Sequence, residues 1–118
     1  MILLVDDEER YRELIAQVIT KAGYEVLQAA DGIEALSLLE KSNVNLVISD
    51  ILMPGLNGYT LVARLRAKWP QMPVILTTGF LPQDAAKNMM NGSVDFIPKP
   101  INAKTLIDMI HRRISPSS

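Results

Sequence analysis

The sequence predicts an α/β domain in which one parallel five-stranded sheet is covered by helices on both faces. Short aliphatic runs alternate along the chain with longer segments in which apolar residues recur every three or four positions. This alternation is typical of parallel sheets whose strands are joined by right-handed helical crossovers. At 118 residues the chain is expected to form a single domain over 1–118, with a disordered tail over 115–118.

Five runs have the character of strands, and they cover 2–5, 24–29, 46–49, 74–77 and 94–97. The first and third are mostly aliphatic, as in strands buried on both faces, whereas the second is more polar, as suits an edge strand. Turn residues from Met53 to Gly58 follow the third run. They place Asp50 at the carboxyl end of that strand, in a loop at the edge of the sheet.

Five helices are predicted between and after these strands. The first has its apolar face at Tyr11, Leu14, Ile15, Val18, Ile19 and Ala22. Asp31 and Glu34 cap the second, which buries Ile33, Leu36 and Leu39, and Asn57 caps the third, which buries Leu61, Val62 and Leu65. A weaker fourth helix covers 82–91. The last has apolar positions at Ala103, Leu106, Ile107, Ile110 and Ile114.

The composition excludes several classes of function. The chain contains no cysteine, which rules out disulfides, thiolate zinc sites and cysteine nucleophiles and favours a reducing compartment. Its net charge is −1 without a basic cluster, so we expect no direct contact with nucleic acid. No apolar run approaches the ~20 residues of a membrane span, and Asp6 follows Met1 too soon for a signal peptide. We therefore expect a cytoplasmic domain that does not contact a membrane.

Chemically distinctive side chains follow the predicted strands. Asp6 and Asp7 end the first strand, Asp50 the third and Thr78 the fourth, and Lys99 follows the fifth. Each alone has an ordinary explanation as a helix cap, a buried β-branched residue or a solvated charge. Because parallel strands end at one edge of the sheet, the five side chains meet there if the first strand is central and the third lies beside it.

Such a cluster of acids favours a metal ion and phosphoryl transfer. Three carboxylates within ~4 Å of one another repel by several kcal/mol per pair, so a positive charge must compensate. Mg²⁺ suits a sparse set of oxygen ligands better than Ca²⁺, and Lys99 adds a fixed charge. A carboxylate beside both, Asp50, is suited to becoming an aspartyl phosphate, to which Thr78 can donate its hydroxyl.

These residues resemble the motifs of a known family. The chain is similar over essentially its full length to the receiver domain of two-component response regulators. The motifs that carry the resemblance are Asp6-Asp7, Asp50 with the turn residues behind it, Thr78, and Lys99-Pro100. The resemblance implies a flavodoxin-like, doubly wound sheet with strand order 2-1-3-4-5.

The resemblance also implies a site and a mechanism. Asp50 accepts a phosphoryl group from the phosphohistidine of a histidine kinase or a histidine phosphotransfer domain. Asp7, Asp50 and the Leu52 carbonyl bind Mg²⁺, and Asp6 assists through water. The domain is then not an enzyme in the usual sense, because it catalyses only its own aspartyl phosphorylation and dephosphorylation.

The same resemblance implies a conformational switch. Thr78 and Phe96 match the family's switch pair, in which the hydroxyl turns to the phosphate and the ring moves inward. The surface formed by the helix over 82–91, the fifth strand and the last helix then changes. Met89, Met90 and Phe96 are expected on or beside this surface, with core packing as an equal alternative.

The sequence departs from the family pattern in three places. Gly79 stands where alanine is most frequent, which enlarges the entrance to the site or loosens the switch loop. The segment from Thr78 to Lys99 is about one residue shorter than in many relatives. Leu52 and Phe80 are apolar and cannot orient an attacking water, so the phosphorylated domain is expected to hydrolyse itself slowly.

Other functional classes fit less well. A haloacid-dehalogenase-like phosphatase needs an acid at position 52, which is leucine, and a flavodoxin would place Asp6 and Asp7 against the flavin phosphate. His111, the only histidine, is expected to be a solvated residue rather than a kinase phosphosite. The main alternative is a receiver-fold adaptor that binds proteins without being phosphorylated, although the residues that such an adaptor would lose are present.

The segment from Thr77 to Phe80 resembles receivers at the carboxyl end of hybrid sensor kinases, and we expect such a parent protein. The cognate kinase, the signal and any phosphorylation-dependent dimerisation are left open by the sequence.

Overall fold

The computed structural model describes residues 1–79 and 94–114, which form five strands and four helices. In chain order these are β1 (Ile2–Val5), α1 (Glu9–Lys21), β2 (Val26–Ala29), α2 (Gly32–Lys41), β3 (Leu46–Asp50), α3 (Gly58–Lys68), β4 (Val74–Thr78), β5 (Val94–Pro98) and α4 (Ala103–His111). Five helices were predicted, but the one over 82–91 lies outside the described residues, as do Phe80, Met89, Met90 and the tail over 115–118.

The sheet has the predicted topology. Its strand order is β2-β1-β3-β4-β5, and every neighbouring pair is parallel. Strand β1 is interior, since Ile2 is paired with Val26 of β2 on one side and Leu46 of β3 on the other. The carboxyl ends of β1, β3, β4 and β5 therefore lie along one edge of the sheet, which we call the carboxyl rim.

Helices cover both faces of this sheet. Alternate residues of each strand point to opposite faces, so Leu3 and Val5 enter one core and Ile2 and Leu4 enter the other. The first core is closed by α2 and α3, through the buried residues Ala35, Leu39, Leu61, Val62 and Leu65. The second is closed by α1 and α4, through Ile15, Ile19, Leu106 and Ile110.

Side-chain caps begin three of the four described helices, and those at Asp31 and Asn57 were predicted whereas that at Asn102 was not. The Asp31 carboxylate accepts a hydrogen bond from Glu34 N at 2.8 Å, and the Glu34 carboxylate accepts one from Ala30 N at 2.8 Å. The Asp31 bond is the predicted cap of α2, whereas the Glu34 bond goes to the residue before the N-cap and so differs from a standard capping box. Asn57 caps α3 by accepting from Thr60 N at 2.9 Å, and Asn102 caps α4 in the same way.

Two large apolar residues predicted to be buried are exposed instead. Ile33 is 70% exposed and Leu14 is 56% exposed. In α2 the buried residues are Gly32, Ala35 and Leu39, and in α1 they include Ile15 and Ile19. Each exposed residue is one position away from a buried one, and a single step turns a side chain by about 100° around the helix axis. Ala103, at the start of α4, is also exposed rather than buried.

Three strands end one residue later in the chain than predicted. Strand β3 includes Asp50, β4 includes Thr78 and β5 includes Pro98. Backbone hydrogen bonds continue beyond these residues, from Ile51 N to Thr77 O at 3.0 Å and from Lys99 N to Thr78 O at 2.7 Å. Asp50 is therefore held by the sheet rather than by a loop. Among the described helices, none combines the length and apolarity that a bilayer span requires.

Candidate functional site

Three carboxylates meet at the carboxyl rim. One oxygen atom of each of Asp6, Asp7 and Asp50 lies within 4.8 Å of the other two. Asp6 and Asp50 are only 4% and 8% exposed, whereas Asp7 is exposed to solvent. This proximity follows from the strand order, because β1 and β3 are adjacent and end at the same level. The three acids form a pocket that is buried on one side and open on the other.

Lys99 lies against two of these acids. Its Nζ donates a hydrogen bond to Asp50 Oδ2 at 2.7 Å and another to Asp6 Oδ2 at 3.2 Å. Burial by itself lowers the pKa of Lys99, but the hydrogen bond to Asp50 and the charges of Asp6 and Asp50 outweigh it, so the pKa lies above its ordinary value. The side chain is therefore a fixed cation at neutral pH.

Backbone contacts orient the two buried acids. The second oxygen of Asp50, Oδ1, accepts from Leu52 N at 3.2 Å, while the Leu52 side chain is 70% exposed. Asp6 Oδ1 accepts from Glu8 N at 2.9 Å, and the Asp6 carbonyl accepts from Arg12 Nη1 at 2.7 Å. The carboxylates of Asp50 and Asp6 are thus each held in one orientation by their hydrogen bonds. This indicates a defined site and not a loose group of charges.

Gly58 allows α3 to start directly against the end of β3. A Cβ atom at Gly58 would lie 2.7 Å from Asp50 O and 2.8 Å from Ile51 Cα, which is too close for any side chain. Its N–H donates to Ile51 O at 2.8 Å. The sequence suggested only turn chemistry at Asn57-Gly58, and the close approach of two backbones could not be read from it.

Thr78 and Phe96 lie on neighbouring strands beside the acids. Thr78 is 5% exposed at the end of β4, one residue beyond Thr77, which is paired with Asp50. Phe96 is partly buried on β5, paired with Leu76, and packs against the core closed by α2 and α3. Because side chains two positions apart share a face of the sheet, Phe96 and Thr78 lie on the same face.

Tyr11 joins this site, although its spacing predicted only a place on the apolar face of α1. Its ring centroid lies 4.9 Å from Lys99 Nζ, and its hydroxyl accepts from Ile101 N at 2.9 Å. The signal available in the sequence was a hydroxylated aromatic residue one helical turn after the acids. His111, by contrast, lies far along α4, is exposed as predicted, and hydrogen-bonds to the Tyr24 hydroxyl.

The donor set fits a hard divalent cation. Among the residues that the structure describes, three carboxylates and one directly contacting ammonium leave two negative charges uncompensated in the pocket (3 − 1 = 2). All the side-chain ligands on offer are carboxylate oxygens, and Asp7 leaves the site accessible from solvent. Oxygen ligands, few in number and partly open to water, are the environment that Mg²⁺ prefers.

The fold and this rim together define a doubly wound domain with an acid and lysine site at the carboxyl ends of its strands. The family model for the response regulator receiver domain matches residues 2–111, and the chain belongs to this family. The resemblance drawn from the sequence motifs is therefore confirmed. Receiver domains are not enzymes in the usual sense, and in two-component systems they interact with histidine kinases and phosphotransfer domains.

Individual relatives agree with the family assignment. The chain is 34% identical over 112 residues to the response regulator protein FleR of Pseudomonas aeruginosa, covering 94% of this chain and 24% of FleR. The receiver domain of the hybrid histidine kinase CckA superposes with a TM-score of 0.82 at 37% identity, covering 97% of this chain and 98% of that one. The chemotaxis protein CheY4 of Vibrio cholerae has a TM-score of 0.87 at 31% identity, with 96% and 97% covered.

The relatives differ in length. The chain spans 24%, 50% and 11% of three curated relatives that it matches. The similarity therefore concerns the receiver domain and not the activity of a whole protein.

Proposed function

We propose that this domain is the phosphoacceptor of a two-component phosphorelay and that Asp50 carries the phosphoryl group. The observation that supports this most directly is the Asp50 carboxylate, buried in an acidic pocket with one oxygen 2.7 Å from Lys99 Nζ. In the transfer, a carboxylate oxygen of Asp50 forms a bond to phosphorus while the N–P bond of a phosphohistidine breaks. The imidazole leaves with the electron pair of that bond.

The neighbouring residues have separate roles in this proposal. Lys99 is already an ammonium beside Asp50 and can pair with the phosphoryl oxygens as negative charge builds on them. Asp7, Asp50 and the Leu52 carbonyl, with Asp6 through water, would hold Mg²⁺. When bound there, Mg²⁺ supplies positive charge that offsets the carboxylates and the phosphoryl oxygens. Thr78 is a buried hydroxyl at the end of the adjacent strand and can donate to the new group.

A response to phosphorylation is part of the proposal. The phosphoryl group carries ~1.5 to 2 negative charges at neutral pH, replaces the single charge of the Asp50 carboxylate and offers new acceptor oxygens, which favours the arrangement in which Thr78 donates to it. Phe96, on the same face of the sheet, then moves inward. The surface around β5, α4 and the segment over 82–91 changes and contacts the output partner.

The phosphodonor and the parent protein are proposed from the comparisons. The donor is the phosphohistidine of a histidine kinase or a histidine phosphotransfer domain. Similarity to the receiver domain of the hybrid histidine kinase CckA supports a hybrid kinase as the parent chain. A cytoplasmic location fits this role.

The test is the intact mass of the protein after incubation with Mg²⁺ and acetyl phosphate. We expect wild type to gain the mass of one phosphoryl group and Asp50→Asn to gain none. Asp108→Asn is a matched control, because Asp108 is an exposed aspartate on α4 away from the rim, and it should be phosphorylated like wild type.

The opposite result would support the adaptor reading. If wild type gains no mass from acetyl phosphate or from a phosphorylated histidine phosphotransfer domain, Asp50 is not a phosphoacceptor. Phosphorylation of Asp50→Asn to the same extent as wild type would also contradict the proposal, because another residue would then be modified.

A further inference from the structure

The loop that carries Lys99 is held at two points. It connects β5 to α4 and consists of Lys99, Pro100, Ile101 and Asn102, the last of which caps α4. On one side, Lys99 N donates to Thr78 O at 2.7 Å. On the other side, Ile101 N donates to the Tyr11 hydroxyl at 2.9 Å. Pro100 has no N–H, so both backbone donors that precede the Asn102 cap are satisfied, one by β4 and the other by a side chain of α1.

The same tyrosine contacts the ammonium group of Lys99. Nζ lies 4.9 Å from the centroid of the Tyr11 ring, within the distance at which a cation is attracted to an aromatic face. Nζ also faces Asp6 and Asp50, so three groups define its position. The two carboxylates are the partners that change in phosphoryl transfer, whereas the ring does not.

A cavity beside Tyr11 shows why the contact between its ring and Lys99 is important for the site. A shallow cavity of about 300 Å³ opens beside Lys99, and it is lined by Glu8, Tyr11, Lys99 and Pro100. The tyrosine ring forms one wall of this cavity. Without the ring, water would reach Nζ from this side, and the lysine stem would lose a surface that restricts its rotamers.

We propose that Tyr11 is a positioning residue for Lys99. Its ring holds the ammonium, and its hydroxyl anchors the loop at Ile101, so that Nζ stays where the phosphoryl oxygens will lie. This inference rests on the proposed function of Asp50 and Lys99. It gives α1 a role in organising the site. Tyr11 acts through Lys99 and does not contact the phosphoryl group.

Two substitutions separate the ring from the hydroxyl. Tyr11→Leu removes both, while Tyr11→Phe keeps the ring and removes only the acceptor for Ile101 N. We expect the rate of phosphorylation by acetyl phosphate to fall about tenfold in Tyr11→Leu, since preorganised charge contributes strongly to phosphoryl transfer, and to fall less in Tyr11→Phe. Tyr59→Leu, at a partly buried tyrosine on α3, is the matched control and should retain the wild-type rate.

A double-mutant cycle tests whether Tyr11 acts through Lys99. In a Lys99→Ala background, Tyr11→Leu should cause little further loss of rate, because the group that it positions is gone. Equal losses in both backgrounds would overturn the proposal and make the effect a general one on folding. An unchanged rate in Tyr11→Leu alone would overturn it as well.

A spectroscopic measurement is independent of phosphorylation. The ring current of Tyr11 should shift the Lys99 ε-methylene protons upfield in the NMR spectrum of wild type and of Tyr11→Phe, but not of Tyr11→Leu. Absence of this shift in wild type would overturn the inference even if Asp50 is phosphorylated. If wild type is not phosphorylated at all, the proposed function fails instead, so the two failures can be told apart.

Discussion

At the scale of single residues, the site depends on backbone approach as much as on side-chain chemistry. Asp50 contributes the carboxylate, but its position is set by the carbonyl and Cα atoms that pack against Gly58. Residues that contribute no functional group can therefore be as restrictive as the acids. Gly58 is such a residue, whereas Lys99 contributes a charged group whose pKa the neighbouring acids raise.

We expect Gly58→Ala to lower the free energy of unfolding by about 1 to 3 kcal/mol, the usual cost of forcing extra atoms into a packed position. The added Cβ would meet backbone atoms of Asp50 and Ile51, which cannot move without displacing the site. Urea unfolding measures this cost. Gly79→Ala is the matched control, since a Cβ there meets no heavy atom of the described residues within 4 Å, and equal losses in the two variants would contradict the explanation.

The raised pKa of Lys99 predicts that the free energy of unfolding depends on pH in the alkaline range. Its pKa in the folded protein is raised by Asp50 and Asp6 despite burial, so its contribution is fully present below the unfolded pKa of about 10.4. That contribution is lost as the pH rises through the higher folded pKa. In urea unfolding, the stability difference between wild type and Lys99→Met should be constant from pH 7 to about 10 and shrink above it. A difference that grows with alkaline pH would contradict the sign.

At the scale of elements, helical periodicity located the helices but not the exact direction of each buried face. The buried stripe of α2 runs through Gly32, Ala35 and Leu39, which turns Ile33 to solvent. Gly32 is needed on this stripe because Leu56 packs onto it, with a Cβ at Gly32 meeting Leu56 atoms at 2.6 Å. The rotation of α2 about its own axis is thus set by Leu56, which lies in the loop between β3 and α3.

This rotation of α2 can be tested by two substitutions in the same helix. Ile33→Ser should change the free energy of unfolding by less than about 0.5 kcal/mol, as is usual for surface positions. Leu39→Ala should cost about 2 to 5 kcal/mol, because Leu39 is 3% exposed in the core. Thermal or urea unfolding distinguishes them. A larger loss for Ile33→Ser than for Leu39→Ala would mean that the helix is turned the other way.

At the scale of the whole molecule, repulsion within the acidic rim opposes folding, and a cation bound there would offset it. Two uncompensated negative charges remain among Asp6, Asp7, Asp50 and Lys99 (3 − 1 = 2), and strands β1, β3 and β5 must all be in place to bring them together. A cation that binds only the assembled rim therefore stabilises the entire domain.

We expect Mg²⁺ to raise the midpoint of thermal unfolding. At a concentration one hundred times its dissociation constant, a ligand of the folded state adds about 2.7 kcal/mol to stability. Asp7→Asn should remove most of this increase, since it deletes the most accessible carboxylate of the cluster. Glu40→Gln, on the exposed side of α2, is the control and should respond to Mg²⁺ like wild type. An equal increase in Asp7→Asn would place the cation elsewhere.

The sequence by itself determined the five strands, their parallel order once the family was identified, and the residues that reach the carboxyl rim. Those features depend on local apolar periodicity, capping residues and the rule that parallel strands end together, all of which a single chain displays. Only the tertiary structure decided the contact of Tyr11 with Lys99 and Ile101, the need for glycine at position 58, and the outward rotation of Leu14 and Ile33. Each of these depends on the distance between segments far apart in sequence, and no pattern along the chain encodes such a distance.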